Sequence, residues 1–417
     1  MEKVKIEVNS EVGILEGVII HSPGSEVENM TPNMVQKALY SDILNLSVAK
    51  AEYKQFSDIL HMVTNVYEVR DLLTVILQKQ EVKNMLVRRI TQHERVPSLR
   101  ERLMEMDAHA LTTALVEGVE ITRDNLSKFL SKEQFELDPL HNFFFTRDAS
   151  IANGNQVLIS KMASRVRDRE SIIMESIFNY HPLFKVETVN PASENLNHKE
   201  FSFEGGDFLI ARDDVMLVGT GSRTTPTGID FLIDHFKKQK KVQHIIVQEL
   251  PYEPESFIHL DMVFTLLDVD KCMIYEPLLI HSSRYLTIHI TINNGKVHIV
   301  EEPNILTALK KLGMDMEPVL CGGSREVMTQ EREQWHSGAN FFAIAPGQVM
   351  GYGRNQYTIE EMNRHGFEII KAKDIAAGKA AIPAGKKCVI SIEGAELSRG
   401  GGGCRCMSMP FKRAAVS

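Results

Sequence analysis

The pattern of apolar and polar positions changes character twice along the chain. "VGILEGVIIHSPG" (12–24) reads as a strand closed by a Pro-Gly turn, and helical character follows from about Met34. "DLLTVILQKQEVKNMLVRRI" (71–90) has the length and apolar density of one helix. In "PSLRERLMEMDAHALTTAL" (97–115), Leu99, Leu103, Met106, Ala110 and Ala114 fall on one helical face. Ser98 and Glu101 there have capping-box spacing. A further helix is expected near "TRDNLSKFLSKEQF" (122–135), so that residues 72–135 read as an all-helical unit.

Beyond it the texture becomes strand, tight turn, strand, a Gly or Arg region, helix, strand. The order recurs from "RDASIANGNQVLIS", with Asn153-Gly154 as a hairpin turn, from "GGDFLIARDDVMLVGTGSR", and from "GANFFAIAPGQVMGYGRN". "HLDMVFTLLDVDKCMIYEP" opens another with a longer middle, and "CVISIEG" is expected to join the first strand in a fifth. This is an irregular ββαβ repeat. A ring of such units leaves no open sheet edge and ties the chain's end to its beginning. The expected fold is therefore α/β, a five-bladed pseudo-symmetric ββαβ propeller with an inserted all-helical domain. Its parts are 1–71, the insertion 72–135, and 136–417.

Composition narrows the function classes. A net charge of -8 offers no global basic field for nucleic acid. No apolar run approaches the ~18 residues of a spanning helix, and "MEKVKIEVNSEVG" has no secretory apolar core. Five sparse cysteines do not form a disulfide framework, so a reduced, cytoplasmic setting is expected.

The chemistry-bearing residues are scattered. "SRGGGGCRCMSMP" sets four glycines before Cys404 and Cys406; it reads either as a flexible linker or as a loop that approaches something small with a reactive thiol at its edge. "FTRDAS" offers Asp148, which also fits a strand cap. "FEGGD" puts Glu204 and Asp207 around two glycines. In "HLDMVF", strand periodicity would place His259 and Asp261 on one face, as in any half-exposed strand. Arg167 in "RVRDRE" fits a charged helix face, whereas Arg223 in "GSRTTP" looks like a loop donor. No zinc spacing, HExxH or Walker loop is present. A thiol, an imidazole, carboxylates and arginines together suit a cationic substrate that ends in a carboxylate.

Together "VNSEVGILEGVIIHSPG", "NFFFTRDAS", "EGGD", "GSR", "HLDMVF", "REQW", "AIAPG", "GRNQYT" and "RCMSMP" resemble the arginine deiminase family of the guanidine-modifying (pentein) superfamily, over essentially the whole chain. The resemblance implies hydrolysis of L-arginine to L-citrulline and ammonia through a Cys-linked amidino intermediate, without metal or organic cofactor. It implies Cys406 as nucleophile and His259 as general acid and base. Asp148 and Asp261 would hold the guanidinium, and Glu204 would assist. Asn142, Arg167 and Arg223 would hold the α-carboxylate, and Arg399 would be a mobile loop arginine. It further implies a small-molecule substrate and a homo-oligomer, dimer or tetramer, with neither nucleic acid nor membrane as partner. Cys404, His336-Ser337 and Gly353 depart from residues common in the family. The rival readings are another guanidine chemistry, an amidinotransferase or methylarginine hydrolase, and a non-catalytic propeller that only binds.

Overall fold

The computed structural model describes residues 3–35, 40, 42–191, 201–239, 241–281 and 284–416. Among them, five sheets repeat one pattern: an antiparallel pair, then a helix, then a strand parallel to the second. In the first, Met409–Arg413 runs antiparallel to Leu15–Ile20, which continues through helix Leu46–Val63 to Asn65–Glu68. The second contains Ser150–Asn153, Gln156–Ile159, helix Asp168–Tyr180 and Glu187–Val189. The third contains Phe208–Arg212, Val215–Thr220, helix Pro226–Lys237 and Gln243–Glu249, and the hairpin Thr287–Asn293/Lys296–Glu302 widens it. The fourth contains Phe264–Leu266, Lys271–Ile274, helix Ile305–Lys311 and Glu317–Leu320. The fifth joins Phe342–Ala345, Gln348–Tyr352 and Cys388–Ile392, with Glu368–Lys371 at its edge.

Local chemistry explains the elements. Val215–Thr220 is buried along almost its whole length, as befits a strand with neighbours on both sides. Helix Leu46–Val63 starts where Asn45 accepts from the Ser47 and Val48 N–H groups. Its Glu52 then accepts the backbone N–H groups of Ala395, Glu396 and Leu397, fixing the approach to the glycine run.

Several expectations are corrected. "CVISIEG" does not meet the first strand; Met409–Arg413 does, because Cys388–Ile392 is already held between two parallel neighbours. The run 71–90 is two helices, Val69–Leu77 and Gln80–His93. The run 97–115 breaks at Met106, since Asp107 caps a new helix by accepting from Ala110 N–H. Ser98 makes no cap bond; its hydroxyl donates to Glu136 instead. A short strand pair, Val119–Glu120 with Phe135–Leu137, closes the helical stretch. That stretch has no separate core: Leu73, Leu86, Leu103 and Leu115 share one apolar cluster with Ile159, Ile173 and Phe208 of the second and third sheets. No helix among the described residues is long and apolar enough to cross a membrane.

Candidate active site

Cys406 lies in a turn between the glycine run and the closing strand Met409–Arg413. One side chain from the fifth sheet's entry holds it. Asn340 Oδ1 accepts the backbone N–H groups of Arg405 (2.9 Å) and Cys406 (3.3 Å), while its Nδ2 donates to Cys406 Sγ (3.2 Å). Gly403 has to be glycine for this: a Cβ there would stand 2.6 Å from Asn340 Oδ1. Arg405, one residue before the thiol, is fully buried and bridges two carboxylates. It donates to both oxygens of Glu11 at 3.0 Å and to Asp261 Oδ2 at 2.8 Å. Asp261 is thereby fixed 3.8 Å from the sulfur. Burial, then Asp261 and Asp148, push the Cys406 thiol well above its ordinary value.

His259 faces the thiol's surroundings from another loop. The expected strand at "HLD" is a 3₁₀ turn, Leu260–Met262, and the strand starts only at Phe264. Asp207 sets that turn by accepting the Leu260 N–H at 2.9 Å. His259 and Asp261 thus enter the site from a turn and not from one strand face. The imidazole Nε2 is hydrogen-bonded to Glu204 Oε2 at 3.0 Å, and Nδ1 lies 3.8 Å from Asp148 Oδ1. Burial disfavours a charged ring, but Asp148, Glu204 and Asp207 outweigh it and raise His259 to about 9. Burial likewise opposes ionised Glu204, yet Arg223 and His259 hold its carboxyl below the usual range. Gly206 makes room for this pair: a Cβ there would stand 2.5 Å from His259 Nδ1.

Asp148, His259 and Cys406 open onto one cavity of about 330 Å³, also lined by Asn142, Arg167, Arg223 and Arg399. Glu204 and Asp261 stand behind its wall, both fully buried. Gly400, Gly401 and Gly402 form one side, so the glycine run is an ordered part of the site's boundary and not a free linker. Arg167 Nη1 donates to Asp148 Oδ2 at 2.8 Å, and its other nitrogens bind Glu170. Arg223 reaches to 3.9 Å from Glu204 Oε1. Arg399 binds Glu396 at 3.0 Å and Asp42 across the cavity mouth. Asp148 Oδ1 is buried without a hydrogen-bond partner among the described residues, an acceptor facing a cavity. Asp148, Glu204 and His259 each bring one ligand atom within 4.8 Å of the other two, so the cluster suits a cation.

Asn340, Arg405, Glu11 and Glu170 carry much of this geometry; the last three sit within quoted motifs but their residue types alone gave them no role. The pairing of Glu11 with Arg405 crosses nearly the whole chain. Of the departures, His336 lines the cavity beside Trp335. Cys404 is fully buried in an apolar cluster with Met407 and Leu397, and burial pushes its thiol beyond the reactive range.

The chain can now be set beside known proteins. A family model described as arginine deiminase matches residues 36–413. Arginine deiminase of Bacillus cereus is 32% identical over 431 residues, covering 99% of each chain. That of Streptococcus pneumoniae is 32% identical over 439 residues, covering both chains completely. Among solved structures, the substrate-bound N-terminal domain of ArgZ, a cyanobacterial arginine dihydrolase, superposes with a TM-score of 0.52 at 12% identity, over 95% of this chain and 98% of that one, which shows a shared fold. A match of this length to the family model, with relatives similar from end to end, means that the chain belongs to the arginine deiminase family.

Proposed function

We propose that the cavity hydrolyses L-arginine to L-citrulline and ammonia with Cys406 as nucleophile. The observation that carries the reading is the convergence on one cavity of a buried thiol, an imidazole held protonated by carboxylates, and Asp148 with an oxygen that accepts no hydrogen bond from the described residues. A guanidinium is a poor electrophile and costly to desolvate, so it needs carboxylates on its flanks. Asp148 and Asp261 supply them. The same two carboxylates favour the protonated thiol. An entering cation cancels their field, and the proton leaves to solvent.

The thiolate then attacks the guanidinium carbon, forming the C–S bond. His259 gives its proton to one NH₂ group, the C–N bond breaks, and ammonia departs. The cysteine-linked amidinium remains. His259, now neutral, takes a proton from water as the oxygen adds to the same carbon. The C–S bond breaks with its electron pair returning to sulfur, which recovers a proton from the new carbonyl group as citrulline forms. Glu204 keeps the ring oriented through both transfers. Asn142, Arg167 and Arg223 take the substrate's α-carboxylate, and Arg399 with the glycine run covers the mouth. The chemistry calls for no metal or organic cofactor.

The finer architecture belongs to the same proposal. The five ββαβ sheets form a five-bladed propeller, with 72–135 inserted between 1–71 and 136–417. Support comes from the pairing of Leu15–Ile20 with Met409–Arg413, which joins the chain's two ends. A dimer or tetramer is supported by exposed Leu126, Phe129 and Leu130 on the helical stretch. A cytoplasmic setting is supported by five free cysteines. A citrulline assay with L-arginine as sole substrate tests the function. Formation of citrulline and ammonia in equal amounts supports it, and turnover only with an added amine acceptor would point to amidino transfer instead.

A further inference from the structure

A second cavity, about 230 Å³, lies where the end of helix Gln80–His93 meets the Arg165–Arg167 turn and the segment that leads into the active site. Arg95, Arg165, Arg169 and His141 line it, as do Glu94 and Asp138. Two of these side chains are buried with unsatisfied nitrogens. Arg169 is 1% exposed; its Nη2 donates to the Asp138 carbonyl and its Nη1 lies 3.4 Å from Glu94 Oε1. Its Nε and Nη1 have no hydrogen-bond partner among the described residues. His141 is 5% exposed; its Nδ1 is engaged by the Glu26 carbonyl, and its Nε2 has no partner among the described residues.

Buried polar nitrogens are rarely left unpaired, and each costs free energy until something pairs with it. The two kinds present here are complementary to one ligand. A carbonyl bound at Nδ1 places the ring proton there, which leaves Nε2 as an acceptor. Burial and Arg169 hold that ring below its ordinary range, against the Glu26 carbonyl and the Asp138 and Glu26 carboxylates. Arg169 offers donors in the planar arrangement that suits an oxyanion. A ligand that fits both must accept from a guanidinium and donate from a hydroxyl, while two further arginines neutralise its charge.

We infer that this cavity is a binding site for a protonated phosphate group, either free hydrogenphosphate or a small phosphomonoester in its singly protonated form. Its oxygens accept from Arg169, its P–OH donates to His141 Nε2, and Arg95 and Arg165 close over it. The site stands back to back with the catalytic cavity. His141 adjoins Asn142 and Arg165 stands two residues from Arg167, and Asn142 and Arg167 line the catalytic side.

Calorimetric titration of the full-length protein tests the assignment, with inorganic phosphate, glycerol 3-phosphate and sulfate as probes. The variants are Arg95→Glu, at an exposed position, Arg169→Lys, and Arg223→Ala in the catalytic cavity as the control. The expected result is one phosphate or phosphomonoester per chain, weakened about tenfold by Arg95→Glu and by Arg169→Lys and unchanged by Arg223→Ala. Which of the two phosphate probes binds more tightly separates the free anion from the monoester. Sulfate, which carries no proton at neutral pH, is expected to bind at least about fivefold more weakly. The assignment is overturned if no phosphate probe binds, if sulfate matches phosphate, or if binding is lost in Arg223→Ala and kept in Arg95→Glu.

Discussion

Replacing Gly206 with alanine tests whether the imidazole's placement limits the rate. The glycine touches no reacting atom in the proposed mechanism; it only leaves room. An added Cβ would stand 2.5 Å from His259 Nδ1, 2.6 Å from its Cγ and 3.0 Å from Asp148 Oδ1, where ordinary contact begins near 3.4 Å. The ring is 2% exposed and must retreat by about 1 Å, because the close-packed wall behind Gly206 gives little. That retreat strains the 3.0 Å hydrogen bond to Glu204, which orients the ring for both proton transfers. A displacement of this size at a catalytic group costs on the order of 10²-fold in rate, or about 2.7 kcal/mol of barrier. The assay is steady-state citrulline formation by Gly206→Ala, alongside circular dichroism to confirm the fold. The predicted signature is a kcat reduced about a hundredfold with a smaller change in KM, since the carboxylate-binding arginines are untouched. A folded variant within about threefold of the parent in kcat/KM would refute the argument that this glycine positions His259.

Three further outcomes follow from the same geometry. Arg223→Ala should reduce kcat/KM for L-arginine at least about tenfold more than for agmatine, which lacks the carboxylate, and equal losses would make Arg223 structural. His259 is raised from 6.5 to about 9 in the folded protein, so its contribution to stability is fully present below about 6.5 and fades as pH rises through 9. Denaturant unfolding of the parent should accordingly lose up to roughly 3 kcal/mol across that window, and His259→Gln should flatten the loss; identical pH profiles would contradict the shift. Activity should survive exhaustive EDTA treatment even though Asp148, Glu204 and His259 could take a cation, and loss on chelation with recovery on adding one metal would reverse that view.

What was legible in the sequence followed the range of the interaction. Cys406, His259, Asp148 and Glu204 sit in short motifs whose residue types already suit guanidine chemistry, and the structure brings all four to one place. The alternation of strand, turn, strand and helix likewise marked out the repeating units. Partner choice across the chain was not legible. Either Cys388–Ile392 or Met409–Arg413 has the apolar content to pair with Leu15–Ile20, and only the parallel neighbours of the former decide between them. Asn340 looks like any loop amide until its carboxamide meets the Cys406 turn. The "HLD" segment shows a local rule overridden: its alternation fits a strand, but Asp207 captures the Leu260 N–H and bends it into a turn. The break at Asp107 was readable in principle, because Asp is a strong helix N-cap, although the apolar face ran on through it.

The central claim is that Cys406 carries the amidino group during turnover. Rapid acid quenching during steady-state reaction with L-arginine, followed by proteolysis and mass spectrometry, measures this most directly. The account predicts that the peptide containing Cys406 gains the mass of arginine minus ammonia, that no other cysteine does, and that Cys406→Ser abolishes both the adduct and citrulline formation. Citrulline produced at the full rate without that adduct, or an adduct on a different cysteine, would contradict it.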